Sequence, residues 1–398
     1  MNEFSGLMTD PLGWIIDEHH SLADAQAVRR RRVVRPLSGV WCEIDGRRVR
    51  NFSGNDYLGL AGDERLARAA QSALELCGTG ARASALVSGR TVWHEQLESR
   101  LAKFEDSQAA VLFPTGYAAN VGAITALVGR DDLILSDRLN HASLIDGCRL
   151  SGAQVRVYAH GDVVQADREL EKHRDARRKL IVTDGLFSMD GDLAPLRELA
   201  DVANRHSAML LVDEAHATGV LGTHGRGACE LSGIGETAIR VGTLSKALGT
   251  QGGFVTGSQQ LIDWLWNTAR TQMFSTALAP ACCAAACAAL DVIEQEPQRR
   301  RTLQLRSDEL RRALHNHGIA TLPHASGPIV PIVLHDSART MAVAGALEEN
   351  GFLVGAIRPP TVPRNSARLR VSLSAAQTSA DVHELAEAIV SAVNSQSS

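Results

Sequence analysis

The sequence predicts an α/β protein with a mostly parallel, doubly wound sheet and a smaller α+β unit at the carboxyl end. From about residue 51 to residue 290, short apolar runs alternate with helix-like stretches, as βα units do. Polar residues directly follow those runs, at the edge where open parallel sheets bind ligands. After residue 290 this alternation changes. We therefore divide the chain into an amino-terminal arm (1–50), a large α/β domain (51–290) and a small α+β domain (291–398).

The composition is ordinary for a globular protein and excludes some classes. Of 398 residues, 44% are hydrophobic and 22% charged, and the formal net charge of −4 does not favour nucleic acid. Seven cysteines form no CxxC pair, which fits a reducing cytoplasm. Cys282, Cys283 and Cys287 lie in an alanine-rich helical run and are interpreted as buried core residues. The amino terminus lacks a signal pattern, and no apolar run approaches the ~18 residues of a membrane span.

The arm is predicted to contain a helix and a hairpin. Residues 12–32 are helix-like and end in four successive arginines, Arg29 to Arg32. Two short strands, Trp41–Ile44 and Arg47–Phe52, flank an Asp-Gly turn. The arginines are interpreted either as a solvated face or as contacts for carboxylate or phosphate groups of a ligand.

In the large domain, strands and helices are predicted to alternate. The strands are Ala109–Phe113, Leu133–Ser136, Val155–Tyr158, Leu180–Thr183, Met209–Val212, Ile239–Val241 and Gly253–Thr256. The helices are Leu66–Leu76, Val92–Phe104, Tyr117–Leu127, His141–Ser151, Asp162–His173 and Leu193–His206. In the small domain we predict strands Ile329–Leu334, Phe352–Ile357 and Leu369–Leu373, and helices Ala338–Asn350 and Ala380–Val393.

An acid and a lysine follow two of these strands. Asp213, and then His216, come after the run Met209–Val212, and Lys246 comes shortly after Ile239–Val241. Because the carboxyl ends of parallel strands share one edge of a sheet, we expect the three side chains to face one ligand.

An acid and a lysine at one site suit pyridoxal phosphate. This cofactor needs a lysine for its Schiff base and an acidic partner for its pyridinium nitrogen. The chain has four lysines, and Lys103, Lys172 and Lys179 lie in charged, helix-like stretches. Only Lys246 lies among small residues, where desolvation would lower its pKa. The alternative interpretation is an ordinary loop lysine.

Other polar residues follow neighbouring strands. Gly116 and Tyr117 open a helix, so their N–H groups could hold a phosphate, although an aromatic residue there could instead belong to the core. His141 could lie flat on a cofactor ring or be a structural histidine. Ser188 follows the strand Leu180–Thr183.

Three motif matches are rejected. Residues 213–216 spell the DEAH box of a helicase family, but the chain lacks the GxxxxGK[ST] loop that such a motor requires. The histidines of HATGVLGTH have no HExxH or Cys/His spacing for zinc. GTGARASALVSG does not lie between a clear strand and helix, as a dinucleotide fingerprint does.

The chain resembles the α-oxoamine synthases, pyridoxal phosphate enzymes of the aspartate-aminotransferase-like fold type I. The resemblance covers about residues 25 to 390 and is highly specific in combination. Its blocks are NFSGNDYLGL, VSGRTVWHEQLE, FPTGYAAN, DRLNHASLIDG, GLFSMDGDLAPL, VDEAHATGVLG, GTLSKALG and IRPPTVPRNSARLR.

The resemblance implies roles for matching positions. Lys246 would carry the cofactor and act as the catalytic base, Asp213 would pair with the ring nitrogen, His216 would bond the phenolic oxygen and His141 would stack on the ring. Further implied cofactor contacts are Gly116, Tyr117, Ser188, Thr243 and Thr276. The segment with Ser275 and Thr276 resembles one that reaches a neighbouring subunit's cofactor, which implies a homodimer. Implied substrate contacts are Arg29, Asn55, Arg358, which would hold the amino-acid carboxylate, and Thr361.

The family joins an amino acid to an acyl thioester with loss of carbon dioxide. The segments AIRPPTVP and ARLRVSLSAA most resemble its biotin-pathway branch, which implies L-alanine and a pimeloyl thioester of coenzyme A or acyl carrier protein. Sister enzymes that use glycine with acetyl- or succinyl-coenzyme A, or serine with a long acyl chain, remain alternatives, as does a catalytically silent partner subunit. Departures from the family pattern are Glu214, Ser245, the 81–84 loop and Gln377.

Overall fold

The computed structural model describes residues 10–24, 28–29 and 31–396, which form two β-sheets with helices packed around them. Arg30 of the arginine run lies outside the described residues. So do residues 1–9 of the amino terminus, for which the sequence predicted no signal pattern. The described strands are β1 (Val34–Pro36), β2 (Trp41–Ile44), β3 (Arg47–Phe52), β4 (Ala109–Phe113), β5 (Leu133–Asp137), β6 (Gln154–Tyr158), β7 (Lys179–Asp184), β8 (Met209–Asp213), β9 (Ile239–Thr243), β10 (Gly253–Gly257), β11 (Ile329–His335), β12 (Phe352–Ile357) and β13 (Ala367–Ser372).

Helices follow most of these strands. They are α1 (Trp14–Asp24), α2 (Glu64–Cys77), α3 (Val92–Phe104), α4 (Gly116–Leu127), α5 (Ala142–Ser151), α6 (Val163–Lys172), α7 (Leu196–Arg205), α8 (Ala228–Ser232), α9 (Gln259–Thr268), α10 (Arg270–Met273), α11 (Pro280–Gln295), α12 (Gln298–Asn316), α13 (Ser337–Glu349) and α14 (Ser379–Ser395), with a π-helical turn at Ala85–Gly89. Within the described residues, no helix is long and apolar enough to cross a membrane.

The larger sheet has seven strands in the order β4-β10-β9-β8-β7-β5-β6. Strands β6, β5, β7, β8 and β9 run parallel, while β10 runs antiparallel to both of its neighbours. The central strands are buried along nearly their whole length because helices cover both faces of the sheet, as in other parallel sheets. This architecture confirms the predicted α/β class with a mostly parallel sheet.

The smaller sheet has six strands in the order β1-β2-β3-β12-β13-β11. The predicted hairpin of β2 and β3 forms with the expected bounds, and β3 then pairs in parallel with β12, opposing Arg50 to Phe352. Residues 34–52 thus belong to the same sheet as residues 329–372. The division at residues 50 and 290 stays a prediction.

Several elements differ at their ends from the prediction. The helix predicted over residues 12–32 ends at Asp24 among the described residues, and residues 31–33 are not helical. Strands β5, β7, β8 and β9 extend past their predicted ends, each into a polar residue. His141 is the N-cap of α5 rather than its first residue.

Candidate active site

The centre of the site is the edge where β7, β8 and β9 end. Asp184 and Asp213 are the last residues of β7 and β8, and they lie opposite each other in the parallel register. Thr243 ends β9, and the segment that follows it carries Lys246. The structure therefore brings together the acid and the lysine that the sequence predicted to share one ligand.

Asp213 is a buried carboxylate that is only 5% exposed. One oxygen accepts a hydrogen bond from Asn120 Nδ2 at 2.6 Å, and the other accepts one from the Ala215 backbone N–H at 2.8 Å. Among the described residues it forms no ion pair within 4.0 Å. A buried carboxylate is costly unless a positive or protonated group compensates it, so Asp213 is suited to a cationic ligand.

Lys246 is half-buried, and its neighbours shift the pKa of its amine in both directions. Burial lowers the pKa of its amine, while the negative charges of Asp213 and Asp184 act in the opposite direction. The positive charge of Arg370 lowers that pKa further. A lysine with a lowered pKa is more often neutral and nucleophilic than a surface lysine.

His141 is fixed at the start of α5. Its backbone N–H donates to Asp184 Oδ2 at 2.7 Å, and its Nδ1 lies 2.7 Å from Ser143 Oγ. The preceding Asn140 donates to the Val182 carbonyl at 2.8 Å, which fixes the turn to the sheet. Burial lowers the pKa of His141, and the charge of Asp213 partly offsets this effect.

The prediction missed Asp184. Its backbone N–H donates to Asn140 Oδ1 at 3.0 Å, so its side chain and main chain both hold the His141 turn. Burial, followed by the charge of Asp213, raises the pKa of Asp184 well above its usual range. The signal that identified Asp213, a carboxylate at the end of an apolar run, was also present in LIVTD.

His216 is buried and bonded to a residue of the 51–60 segment. Its Nδ1 lies 2.6 Å from the Tyr57 hydroxyl oxygen, which is also 3.2 Å from Asn55 Oδ1. Burial holds the pKa of His216 well below its usual range, with the charge of Lys246 as the next cause. The imidazole is therefore neutral at neutral pH.

Arg370 is a second residue that the prediction did not single out, although it ends the block IRPPTVPRNSARLR. It is only 6% exposed. Its Nε donates to the Ser188 carbonyl at 2.6 Å, and a terminal nitrogen lies 3.2 Å from Asn55 Oδ1. Within the described residues it has no carboxylate partner, so its buried guanidinium has no counterion there while its charge lowers the pKa values of Lys246 and His216.

An anion-binding corner is formed by the start of α4 and the end of β9. Thr115 caps the helix by accepting from the Ala118 N–H at 3.0 Å. A Cβ placed on Gly116 would lie 3.1 Å from Cβ of Thr243, so the two segments nearly touch. The Thr243 and Ser245 hydroxyl oxygens lie 2.7 Å apart. Helix N–H groups beside hydroxyls form a suitable phosphate site.

Two other predicted residues lie at the surface of this region. Tyr117 is half-exposed, and its hydroxyl donates to Asp146. Thr276 is exposed, and its backbone forms an antiparallel bridge with Ser84 of the altered 81–84 loop.

The remaining predicted substrate residues gather in a separate cavity of about 1130 Å³. Arg29 lies 3.4 Å from the Thr361 hydroxyl, and Arg358 donates to the Val28 carbonyl at 3.0 Å. A further arginine of the run, Arg32, is bonded to Asp45 and Glu348 and is therefore neutralised. The described lining of this cavity does not include Lys246.

The chain belongs to the class I and II aminotransferase family, whose model matches residues 47–389. It is 49% identical over 373 residues to the 8-amino-7-oxononanoate synthase of Anaeromyxobacter dehalogenans, and the match covers 93% of each chain. It is 48% identical over 363 residues to the enzyme of the same name from Marinobacter nauticus, with 91% of each chain covered. These relatives confirm the resemblance drawn from the sequence blocks.

Solved structures support the same relationship. The serine palmitoyltransferase of Sphingomonas wittichii matches with a TM-score of 0.93 and 32% identity, covering 98% of this chain and 99% of that one. An 8-amino-7-oxononanoate synthase from Francisella tularensis matches with a TM-score of 0.76 and 30% identity, covering 88% and 99%. The predicted fold type I architecture is thereby confirmed.

Proposed function

We propose that this protein is a pyridoxal phosphate-dependent acyltransferase of biotin biosynthesis. It would condense L-alanine with pimeloyl-coenzyme A, or with pimeloyl-acyl carrier protein, and release carbon dioxide and the free carrier. The product would be 8-amino-7-oxononanoate. The single observation that carries the chemistry is the Lys246 amine, whose pKa is lowered by burial, within electrostatic range of the buried carboxylate of Asp213. The relatives at 48–49% identity support the choice of substrates.

The residues present fit the cofactor. Asp213 lacks a cationic partner among the described residues and would hold the protonated ring nitrogen. The N–H groups of Gly116 and Tyr117 and the hydroxyl of Thr243 would hold the phosphate at the corner where a Cβ on Gly116 would intrude. When bound, pyridoxal phosphate supplies an electron sink for the negative charge that develops on the amino acid's α-carbon.

Lys246 would move the proton of the reaction. Because burial lowers its pKa, a larger fraction of its amine is neutral and able to take the α-proton of L-alanine. Asp213 opposes this shift and would stabilise the ammonium that results. The same ammonium would return a proton after carbon dioxide has left. A positioned base of this kind contributes roughly 10²–10⁴-fold to a rate.

The histidines and Ser188 would orient the ring. His216 is neutral and, held by Tyr57, would hydrogen-bond the phenolic oxygen. His141 would lie against the ring face, because the Asp184 bond to its backbone fixes the turn that carries it. Ser188 would add a further contact from the loop after β7.

Arg370 and Asn55 are the best-placed residues for the amino-acid carboxylate. Arg370 is buried, close enough to Lys246 to lower its pKa, and without a carboxylate partner in the described chain. Guanidinium groups bind carboxylates through two parallel hydrogen bonds. We therefore assign to Arg370 the carboxylate role that the resemblance gave to Arg358.

Arg29, Arg358 and Thr361 would bind the acyl donor instead. They line one cavity, and neither Arg29 nor Arg358 forms an ion pair among the described residues. Pimeloyl thioesters carry a distal carboxylate, and their carriers carry phosphates. Both groups suit arginine.

The proposal includes a homodimer in the cytoplasm. Val87, Val92 and Phe274, which lie near the Ser84–Thr276 bridge in sequence, are between 70% and 79% exposed. Exposed apolar side chains in one region are typical of an interface, and a second copy would bring Thr276 toward its neighbour's site. The seven cysteines are free, as expected of a reducing compartment.

One assay tests this function. Purified protein supplied with pyridoxal phosphate, L-alanine and pimeloyl-coenzyme A should yield a product with the mass of 8-amino-7-oxononanoate. Parallel reactions with glycine and acetyl- or succinyl-coenzyme A, and with serine and palmitoyl-coenzyme A, test the sister activities. Faster turnover in one of these reactions would refute the proposed substrates. Failure to bind the cofactor would refute the whole class.

A further inference from the structure

His160 lies between two carboxylates. Its Nδ1 is 3.0 Å from Asp137 Oδ1, and its Nε2 is 2.7 Å from Asp192 Oδ2. Both ring nitrogens can donate to carboxylates only when both carry hydrogen, that is, in the imidazolium form. The hydrogen bonds to Asp137 and then Asp192 raise the pKa of His160 to about 10. The group therefore stays positively charged at neutral pH.

Asp137 connects this cation to the turn before α5. It is buried at the end of β5 and accepts from the Leu139 N–H at 2.8 Å and from the Gly161 N–H at 2.9 Å. Leu139 lies two residues before His141. One carboxylate thus holds both the segment leading to His141 and the segment carrying His160.

Asp192 connects the same cation to the loop after β7. The loop closes on itself through the Leu186–Leu193 bridge and through the Phe187 N–H, which donates to the Asp192 carbonyl at 2.9 Å. The His160 ring packs edge-on against the Phe187 ring, with centroids 4.5 Å apart at 87°. His160 therefore contacts both ends of residues 187–192.

The opposite side of this loop holds Arg370. The Ser188 carbonyl accepts from Arg370 Nε at 2.6 Å. The neighbouring Arg368 reaches the Met189 carbonyl at 3.2 Å and Asp190 Oδ1 at 2.5 Å. A displacement of the loop would move the acceptor that orients the Arg370 guanidinium.

We propose that His160 is a positioning residue that ties the loop 186–193 to the end of β5 and so fixes the Ser188 carbonyl that orients Arg370. The effect reaches the amino-acid substrate through Arg370, and in this respect the inference rests on the proposed function. His160 itself touches neither Arg370 nor Lys246 in the hydrogen bonds of the described chain. It therefore affects binding of the carboxylate rather than the proton transfer.

The test compares two variants of the holoenzyme with a matched control. His160→Gln removes the cation, and Asp192→Asn removes one of its partners while keeping the shape of the side chain. The control is His206→Gln, which also breaks a histidine–aspartate pair, here between His206, the C-cap of α7, and Asp167 of α6 at 2.9 Å. Amide hydrogen exchange of residues 186–193 is measured without substrate, and KM and kcat are measured for L-alanine and for pimeloyl-coenzyme A.

We expect exchange in residues 186–193 to quicken roughly tenfold in both test variants, as loss of a charged hydrogen bond permits. KM for L-alanine should rise roughly tenfold while kcat and the thioester KM change less than about threefold, the pattern of lost ground-state binding. The control should leave all of these values unchanged. A purely structural role would instead lower kcat and raise both KM values together.

The outcomes separate the two proposals. If the wild-type protein makes no 8-amino-7-oxononanoate, the proposed function fails, and the exchange measurement alone decides whether His160 ties the loop. If the wild-type protein is active, unchanged exchange or an unchanged KM for L-alanine in both test variants overturns the inference. An equal rise of that KM in the His206→Gln control would overturn it as well.

Discussion

Asp184 and Asp213 lie directly opposite each other at the ends of two neighbouring parallel strands, both buried. Two ionised carboxylates so placed would repel each other strongly. Burial and the charge of Asp213 raise the pKa of Asp184, so Asp184 tends to keep its proton. The carboxyl edge of β7 and β8 then carries one buried negative charge rather than two. That charge can pair with a cationic ring nitrogen.

This arrangement predicts a pH-dependent stability of the cofactor-free protein. Because the native pKa of Asp184 is raised, its contribution to the free energy of unfolding is present below its unfolded pKa of about 3.9 and is lost as pH rises toward the native value. Asp184→Asn keeps an oxygen to accept from the His141 N–H but cannot ionise. Its stability relative to wild type should therefore increase as pH rises from about 4 toward neutrality. Urea unfolding curves across this range check the prediction, and a constant difference would contradict it.

Replacement of the lysine should remove the chemistry but not the fold. In Lys246→Ala the visible absorbance of lysine-bound pyridoxal phosphate should disappear, and turnover should fall by at least roughly 10³-fold, because both the attachment point and the base are lost. Absorbance spectra and the product assay measure these effects. Lys103→Ala, at an exposed position of α3, is the control and should behave as wild type. Retention of the band and of turnover in Lys246→Ala would refute the assignment.

Two arginine variants should separate the two substrate sites. Arg370→Lys keeps the charge but cannot reach Ser188 and Asn55 together with a bidentate carboxylate, so KM for L-alanine should rise about 10- to 100-fold. Arg358→Ala should raise KM for the thioester and leave that for L-alanine nearly unchanged. Steady-state kinetics with each substrate varied in turn provide the measurement. The reverse pattern would return the carboxylate role to Arg358.

A methyl group at the phosphate corner should weaken cofactor binding. In Gly116→Ala the new Cβ would lie 3.1 Å from Cβ of Thr243, closer than such atoms usually pack, so Thr243 must move. The dissociation constant of pyridoxal phosphate should rise roughly tenfold, as loss of one charged hydrogen bond predicts. Gly345→Ala is the matched control, since it lies in α13 with open space around it, and it should stabilise the protein by about 0.5–1 kcal/mol. Cofactor titration by fluorescence measures the dissociation constant of pyridoxal phosphate in both variants. Equal affinities of Gly116→Ala and Gly345→Ala would contradict the prediction.

The sequence predicted most of the fold because its apolar runs are short and end in recognisable polar residues. The predicted strands were too short at the active edge because residues such as Asp184 and Asp213 are polar, yet still pair with neighbouring strands. Polarity signals the end of an apolar run, whereas hydrogen bonding decides the end of a strand.

The missed Arg370 depends on contacts between distant parts of the chain, whereas the signal for Asp184 was local. Arg370 and Asn55 are 315 residues apart, and no local pattern brings them together. Because prolines follow Arg358, the carboxylate-binding role was predicted for that residue instead. A usable signal existed in β13, where Arg368 and Arg370 are two residues apart in an apolar strand. Alternation places both side chains on one face, and two buried arginines on one face indicate a function.

The parallel pairing of β3 with β12 has a consequence for the newly synthesised chain. The partners Arg50 and Phe352 are about 300 residues apart, so β3 leaves the ribosome long before β12 exists. At a synthesis rate of about 5–20 residues per second, the edge of β3 would remain without its β12 partner for roughly 15–60 seconds. Nascent chains truncated before residue 352 should therefore lack this pairing, and they would be natural clients for a chaperone that shields unpaired strands.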